Sequence, residues 1–188
     1  MKPLFLASRS PRRRQLLTEA GIAFALIDVE VDESLDAPLP PIETARVLAE
    51  RKARAGAELV EDGLVLGSDT IVALGERVLG KPDDRAHARA MLGDLSGQTH
   101  RVITGVALID AATGDARVEA DITEVLMRPM TPEEIAAYVA TGESDDKAGA
   151  YAIQEKGDAF VERYEGSYSN VVGLPMELLG RMLAESLR

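Results

Sequence analysis

The chain has no cysteine, only two histidines (His87 and His100) and no apolar run long enough to cross a bilayer. Without cysteine there are no disulfides and no thiolate metal sites, which fits a cytoplasmic protein. Two histidines argue against a multi-histidine zinc site. Any metal would be held mainly by carboxylates and substrate phosphates, which suits magnesium or manganese. The N-terminal apolar run is too short for a signal peptide, and arginines follow it. Basic residues are in deficit, with 21 Lys and Arg against 32 Asp and Glu, for a net charge of −11. Nucleic-acid affinity needs a broad basic surface, so a general nucleic-acid binder is disfavoured. Catalytic signatures are missing as well. There is no GxSxG elbow and no HExxH, and Ser8–Arg14 lacks the glycines and the Gly-Lys-Ser/Thr ending of a Walker loop. These absences argue against a serine or cysteine hydrolase, a zincin and a P-loop protein.

What remains is an ordinary globular composition, 46% hydrophobic and 28% charged, over 188 residues. That length predicts a single domain, 1–188, with a sizeable core. Within it, the scarce positive charge is concentrated. Lys2, Arg9, Arg12, Arg13 and Arg14 fall in the first fourteen residues with no acid among them. Leu4–Ala7 reads as a short strand and Ser8–Ser10 as a turn. A helix then starts at Pro11, with Ser10 as N-cap and Gly21 as stop. Arg12, Arg13 and Arg14 thus sit at the positive end of a helix dipole, where cations are unfavourable. An anion held by those arginines and by free backbone N–H groups accounts for the placement. The alternative is a solvated basic helix start.

Further along, Phe24–Val31 alternates apolar and acidic residues and reads as a second strand. Its acids read as a solvated face, with Glu33 at the end of the run as a candidate metal ligand. The pattern predicts a helix over Ile42–Ala57, with Ala45, Leu48, Ala49 and Lys52 on one face. Lys52 either snorkels or borders a cleft and meets phosphate. Gly63–Leu74 reads as a buried strand with Asp69 at its middle. A buried carboxylate must be paired, bind metal or shift its pKa, which makes Asp69 a candidate base or metal ligand. Lys81, between Gly80 and Pro82, is a second candidate phosphate contact.

The second half of the chain predicts a helix over Asp83–Asp94 and two long strands, His100–Ile109 and Arg117–Met127, joined as a hairpin. His100 reads as structural or as a hydrogen-bonding residue beside the cleft. Thr131-Pro132-Glu133-Glu134 is a capping box that starts a helix ending near Gly142. Gly142–Gln154 reads as a polar loop leading into a strand-like run. Gln154 has the donor and acceptor needed to read the edge of a base, or simply faces solvent. Phe160–Val161 continues a strand, Gly166–Pro175 reads as a Gly- and Ser-rich loop, and a final helix spans Met176–Leu187. Taken together, these residues indicate phosphate chemistry with a carboxylate base and a divalent metal.

The stretches LASRSPRRRQLL, LAERKA, GSDTIV, GKP, LSGQTHRVITGVAL, DKAGAYAIQ and GSYSNVVGLP, in this order, resemble the Maf family of nucleoside triphosphate pyrophosphatases over nearly the whole chain. DKAGAYAIQ and GSYSNVVGLP are similar to the subgroup acting on dTTP and UTP. The resemblance implies cleavage between the α- and β-phosphates with a divalent cation, giving a monophosphate and pyrophosphate. It implies Asp69 as proton acceptor and Arg12, Thr70 and Gln154 as specificity positions. It also implies Ser8, Arg13, Lys52 and Lys81 as residues lining the substrate cleft. The implied fold is α/β and Maf/inosine triphosphatase-like, with a mixed, curved central sheet flanked by helices and a cleft between two lobes, often as a homodimer. Two departures are visible: Ser68 stands where the family more often has Ala, and Glu155-Lys156 follows Gln154 where Gly is common first. The rival reading is a nucleotide-binding regulator, for instance of cell division, with incidental turnover.

Overall fold

A computed structural model of the chain describes residues 2–154 and 156–186. In order, the elements are β1 (Leu4–Leu6), α1 (Pro11–Glu19), β2 (Ala25–Leu26), α2 (Pro41–Ala57), β3 (Leu64–Leu74) and β4 (Arg77–Leu79). They continue with α3 (Arg85–Leu95), β5 (Thr99–Asp110), β6 (Ala116–Met127), α4 (Pro132–Ala140), β7 (Val161–Glu165), α5 (Tyr168–Val172) and α6 (Met176–Ser186). Among the described residues no helix is long and apolar enough to cross a membrane.

The strands form one mixed sheet in the order β2-β1-β3-β5-β6-β7, with β4 also paired to β3. β2, β1 and β3 run parallel, and the other pairs are antiparallel. β3 is the organising strand. On one edge it pairs with β5 from Leu64 to Ala73. On the other edge it has two short partners: β1 at Leu64–Leu66 and β4 at Val72–Leu74. Between them, residues 67–71 have no strand partner on that edge among the described residues. Asp69 stands in the middle of this unpaired interval.

Alternation along β3 divides its residues between two faces. On one face, Leu64 and Leu66 join a cluster with Leu17, Leu174, Leu179 and Met182. Val72 joins a second cluster with Leu92, Leu95, Val102 and Tyr138. Ser68 and Thr70 fall between the two clusters, so the same face is apolar, polar, then apolar. Arg13 and the Gly173 carbonyl fill this polar interval. The other face carries Ile71 and Ala73, which pack with Ala45 and Ile103 under α2. Here α2 lies directly on strand backbone. A Cβ on Gly67 would come within 2.3 Å of the Ala49 carbonyl oxygen, and one on Gly105 within 2.1 Å of the Ala45 carbonyl oxygen. Only glycine permits that approach.

Three sequence expectations are corrected. The strand expected over Phe24–Val31 is formed only at Ala25–Leu26, where it lies at the sheet edge against the three-residue β1. Two of its acids, Asp28 and Glu30, pair with Arg9. The strand-like run before Gln154 is a 3-10 turn, Ala148–Ala150, with Gly149 and Ala150 both at positive φ. The loop expected over Gly166–Pro175 contains α5. Ser167 caps it by accepting from Asn170 N at 3.3 Å, and Gly173, at φ +125°, ends it. Elsewhere the expected helix and hairpin positions hold within a few residues, and the Thr131–Glu134 capping box is complete. Glu155 and Leu187 lie outside the described residues.

Candidate active site

The turn after β1 and the start of α1 form one wall of the opening. Ser10 caps α1, its hydroxyl accepting from Arg13 N at 3.4 Å. The three arginines then diverge. Arg14 is exposed, and Arg12 is half-buried with no hydrogen bond or ion pair among the described residues. Arg13 turns inward. Its Nε donates to the Gly173 carbonyl oxygen at 2.8 Å, Nη1 to Ser8 Oγ at 3.2 Å and Nη2 to Thr70 Oγ1 at 3.1 Å. Burial of the guanidinium lowers its pKa from the ordinary arginine value, which Asp69 and Glu33 partly oppose. The two carboxylates thus offset part of the cost of burying this cation.

α2 supplies the opposite wall. Because Gly67 and Gly105 let it sit close, Lys52 reaches over β3 to Asp69. Its ammonium lies 2.5 Å from Asp69 Oδ1 and 2.8 Å from Glu33 Oε1. The Lys52 side chain is only 14% exposed and its ammonium is paired with carboxylates, so it does not snorkel to water. Hydrogen bonding from Lys52 is the main cause that holds the Glu33 carboxyl below its usual range, and Lys81 and Arg13 add to it. Glu33 therefore lies in the field of three cations, and Asp69 and Glu33 both act on Arg13. Asp69, Glu33, Arg13, Lys52 and Lys81 thus form one electrostatic neighbourhood.

Lys81 is exposed, and its loop is tied to the 3-10 turn by Gly149 N, which donates to Gly80 O at 3.1 Å. Gln154 is exposed just beyond that turn. Arg12 lies close enough to Asp146 to help lower its pKa, behind the larger effect of Lys147. Among the described residues no group of three or more His, Asp and Glu could hold a metal ion alone.

Sequence reasoning did not find the Gly173 carbonyl. It accepts from Arg13 Nε and from buried Ser68 Oγ at 3.2 Å, and Thr70 Oγ1 lies 3.4 Å away. It also missed Thr104 and Asn170, both fully buried behind Thr70. The pairing of a Ser cap at 167 with Gly173 six residues on was the available signal for the short helix that aims this carbonyl.

His100 is structural. Its Nε2 lies 2.7 Å from Tyr151 Oη in the core, and Nδ1 has no partner among the described residues. Burial pushes its pKa down to about 4. The unfolded chain takes up the proton near 6.5, well before the folded one, so the stability from this group is intact above pH 6.5. It is lost as pH falls toward 4, by about 3 kcal/mol. His100→Gln should flatten the fall in thermal midpoint between pH 7 and pH 4 relative to the wild type. An unchanged acid limb would remove His100 as its cause.

This fold and site define an α/β protein with two carboxylates and three cations gathered at the unpaired edge of a mixed sheet. The architecture superposes on the Staphylococcus aureus Ham1 protein with a TM-score of 0.57 at 15% identity, covering 98% of this chain and all of that one. Residues 3–186 match the family described as Maf-like protein, and the chain belongs to that family. It is 50% identical over 183 residues to the dTTP/UTP pyrophosphatase of Pelotomaculum thermopropionicum, covering 97% of this chain and 96% of the relative. The dTTP/UTP pyrophosphatase of Moorella thermoacetica is 50% identical, covering 98% and 95%. That of Gloeobacter violaceus is 48% identical, covering 97% and 95%.

Proposed function

We propose that this chain is a nucleoside triphosphate pyrophosphatase that hydrolyses dTTP and UTP to the monophosphate and pyrophosphate. Residues 1–188 would work as one cytoplasmic domain, assembled as a homodimer, in clearing the nucleotide pool. The observation that carries this reading is Asp69, 9% exposed at the open edge of β3 and 2.5 Å from the Lys52 ammonium. The half-identity to relatives named dTTP/UTP pyrophosphatase supports the substrate class.

In this mechanism the triphosphate lies along the start of α1. Ser8, Arg12 and Arg13 hold it, and Lys52 and Lys81 neutralise its remaining oxygens. Asp69 accepts the proton of a water that attacks the α-phosphorus. A P–O bond forms to the water oxygen, the bridge to the β-phosphate breaks, and pyrophosphate leaves with the bond's electrons. Arg12, Thr70 and Gln154 border the base. Two carboxylates, Glu33 and Asp69, converge on one cationic point. That donor set fits a magnesium or manganese ion, which is bound by one or two carboxylates together with substrate phosphates. Glu33 would hold it with the phosphate oxygens. When bound, such an ion supplies charge neutralisation on the phosphates.

The test is pyrophosphate release from a panel of nucleoside triphosphates, including 7-methyl-GTP, with magnesium, manganese or chelator. The expected result is metal-dependent release, fastest from dTTP and UTP. Fastest release from 7-methyl-GTP would overturn the substrate reading while keeping the reaction. Nucleotide binding without turnover would favour a regulator.

A further inference from the structure

Thr70 and Thr104 are direct partners across β3 and β5, with their hydroxyl oxygens 2.9 Å apart. The direction of that hydrogen bond follows from its neighbours. A hydroxyl has one hydrogen to give. Thr104 Oγ1 also lies 3.0 Å from the Asn170 carbonyl oxygen, which can only accept. The Thr104 hydrogen is therefore committed to Asn170, and Thr104 accepts from Thr70. With its own hydrogen committed to Thr104, the Thr70 oxygen accepts from Arg13 Nη2 at 3.1 Å. The other acceptor within reach of Thr70 is the Gly173 carbonyl at 3.4 Å, which Arg13 Nε and Ser68 already use. The result is a one-way chain from Arg13 through Thr70 and Thr104 to the backbone of α5.

The far end of this chain is rigid. Asn170 Nδ2 donates to Val102 O and to Thr123 Oγ1, both at 2.9 Å. Thr104, Thr123 and Asn170 are all fully buried, so water does not compete for these bonds. Three strands and one helix thus set the angle of one arginine.

We infer that Thr104 is a positioning residue: it fixes the polarity of the Thr70 hydroxyl and thereby the orientation of the Arg13 guanidinium for phosphate. The functional half of this inference rests on the phosphate-holding role proposed for Arg13. Without the Thr104 hydroxyl, the Thr70 hydrogen turns toward Gly173 and competes with Arg13 Nε for its acceptor.

The experiment compares Thr104→Val, which keeps the shape, with Thr104→Ser, which keeps the hydroxyl. Two quantities are read: steady-state kinetics on dTTP, and hydrogen exchange of the Arg13 Nε–H by NMR without nucleotide. Thr104→Val should raise KM about tenfold, with kcat within about threefold, the size of one charge-assisted hydrogen bond. It should also speed exchange of the Arg13 Nε–H about tenfold. Thr104→Ser should stay within about threefold of the wild type in both. If thermal melting shows that Thr104→Val does not fold, Thr104→Ala takes its place. Wild-type KM and a protected Arg13 Nε–H in the apolar variant would overturn the inference, as would a serine variant that behaves like valine. If the wild type does not turn over dTTP, the proposed function fails, and the exchange measurement still decides the hydrogen-bond chain.

Discussion

Asp69→Asn should lower dTTP turnover by about 100-fold or more and leave the fold in place. The substitution keeps the shape of the side chain and removes its capacity to take a proton. The Lys52 ammonium is not stranded, because Glu33 remains 2.8 Å away. One buried negative charge disappears from the face that meets phosphate, so nucleotide binding should be retained or tightened. Pyrophosphate release, nucleotide titration and thermal melting read the three effects separately. Turnover within about tenfold of the wild type would remove Asp69 as the base.

Gly105→Ala should cost stability rather than chemistry alone. Its Cβ would lie 2.1 Å from the Ala45 carbonyl oxygen and 2.9 Å from Arg46 N, both backbone atoms of α2 that cannot rotate away. No unusual φ is involved, so the penalty is steric. The helix must lift from β3 and β5, at about 3 kcal/mol or more, or about 6–12 °C in thermal midpoint for a chain of this size. The same movement draws Lys52 away from Asp69, so residual folded enzyme should also be slower. Gly93→Ala is the control. It lies exposed in α3 with nothing near its Cβ position, and should raise stability by roughly 0.5–1 kcal/mol through helix propensity. A Gly105→Ala midpoint within about 2 °C of the wild type would contradict the close α2 contact.

These two residues also mark what the sequence could and could not show. Asp69 was legible because a charge in an apolar run is a local contradiction that only pairing or function resolves. Lys52 was marked by its place on an apolar helix face, but position alone left snorkelling and a buried pairing equally open. The α1 cap, the β5–β6 hairpin and the capping box at Thr131 are short-range patterns, and local chemistry dictates them. The closeness of α2 to the sheet is not local. Gly67 and Gly105 stand in separate strands, and only the β3–β5 register places both under the same helix. The Phe24–Val31 alternation was misread because a strand needs a partner as long as itself, and β1 offers three residues. The Gly173 carbonyl was invisible because a backbone oxygen carries no residue identity. The residues behind it, Asn170 and Thr104, are 66 positions apart in the chain.

Hydrolysis of dTTP in water enriched in oxygen-18 tests the central claim most directly, because it reports which phosphorus is attacked. Attack on the α-phosphorus beside Asp69 predicts one heavy oxygen in dTMP and none in pyrophosphate, with label incorporation lost in Asp69→Asn. Label in the pyrophosphate, or release of inorganic phosphate in place of pyrophosphate, would contradict it.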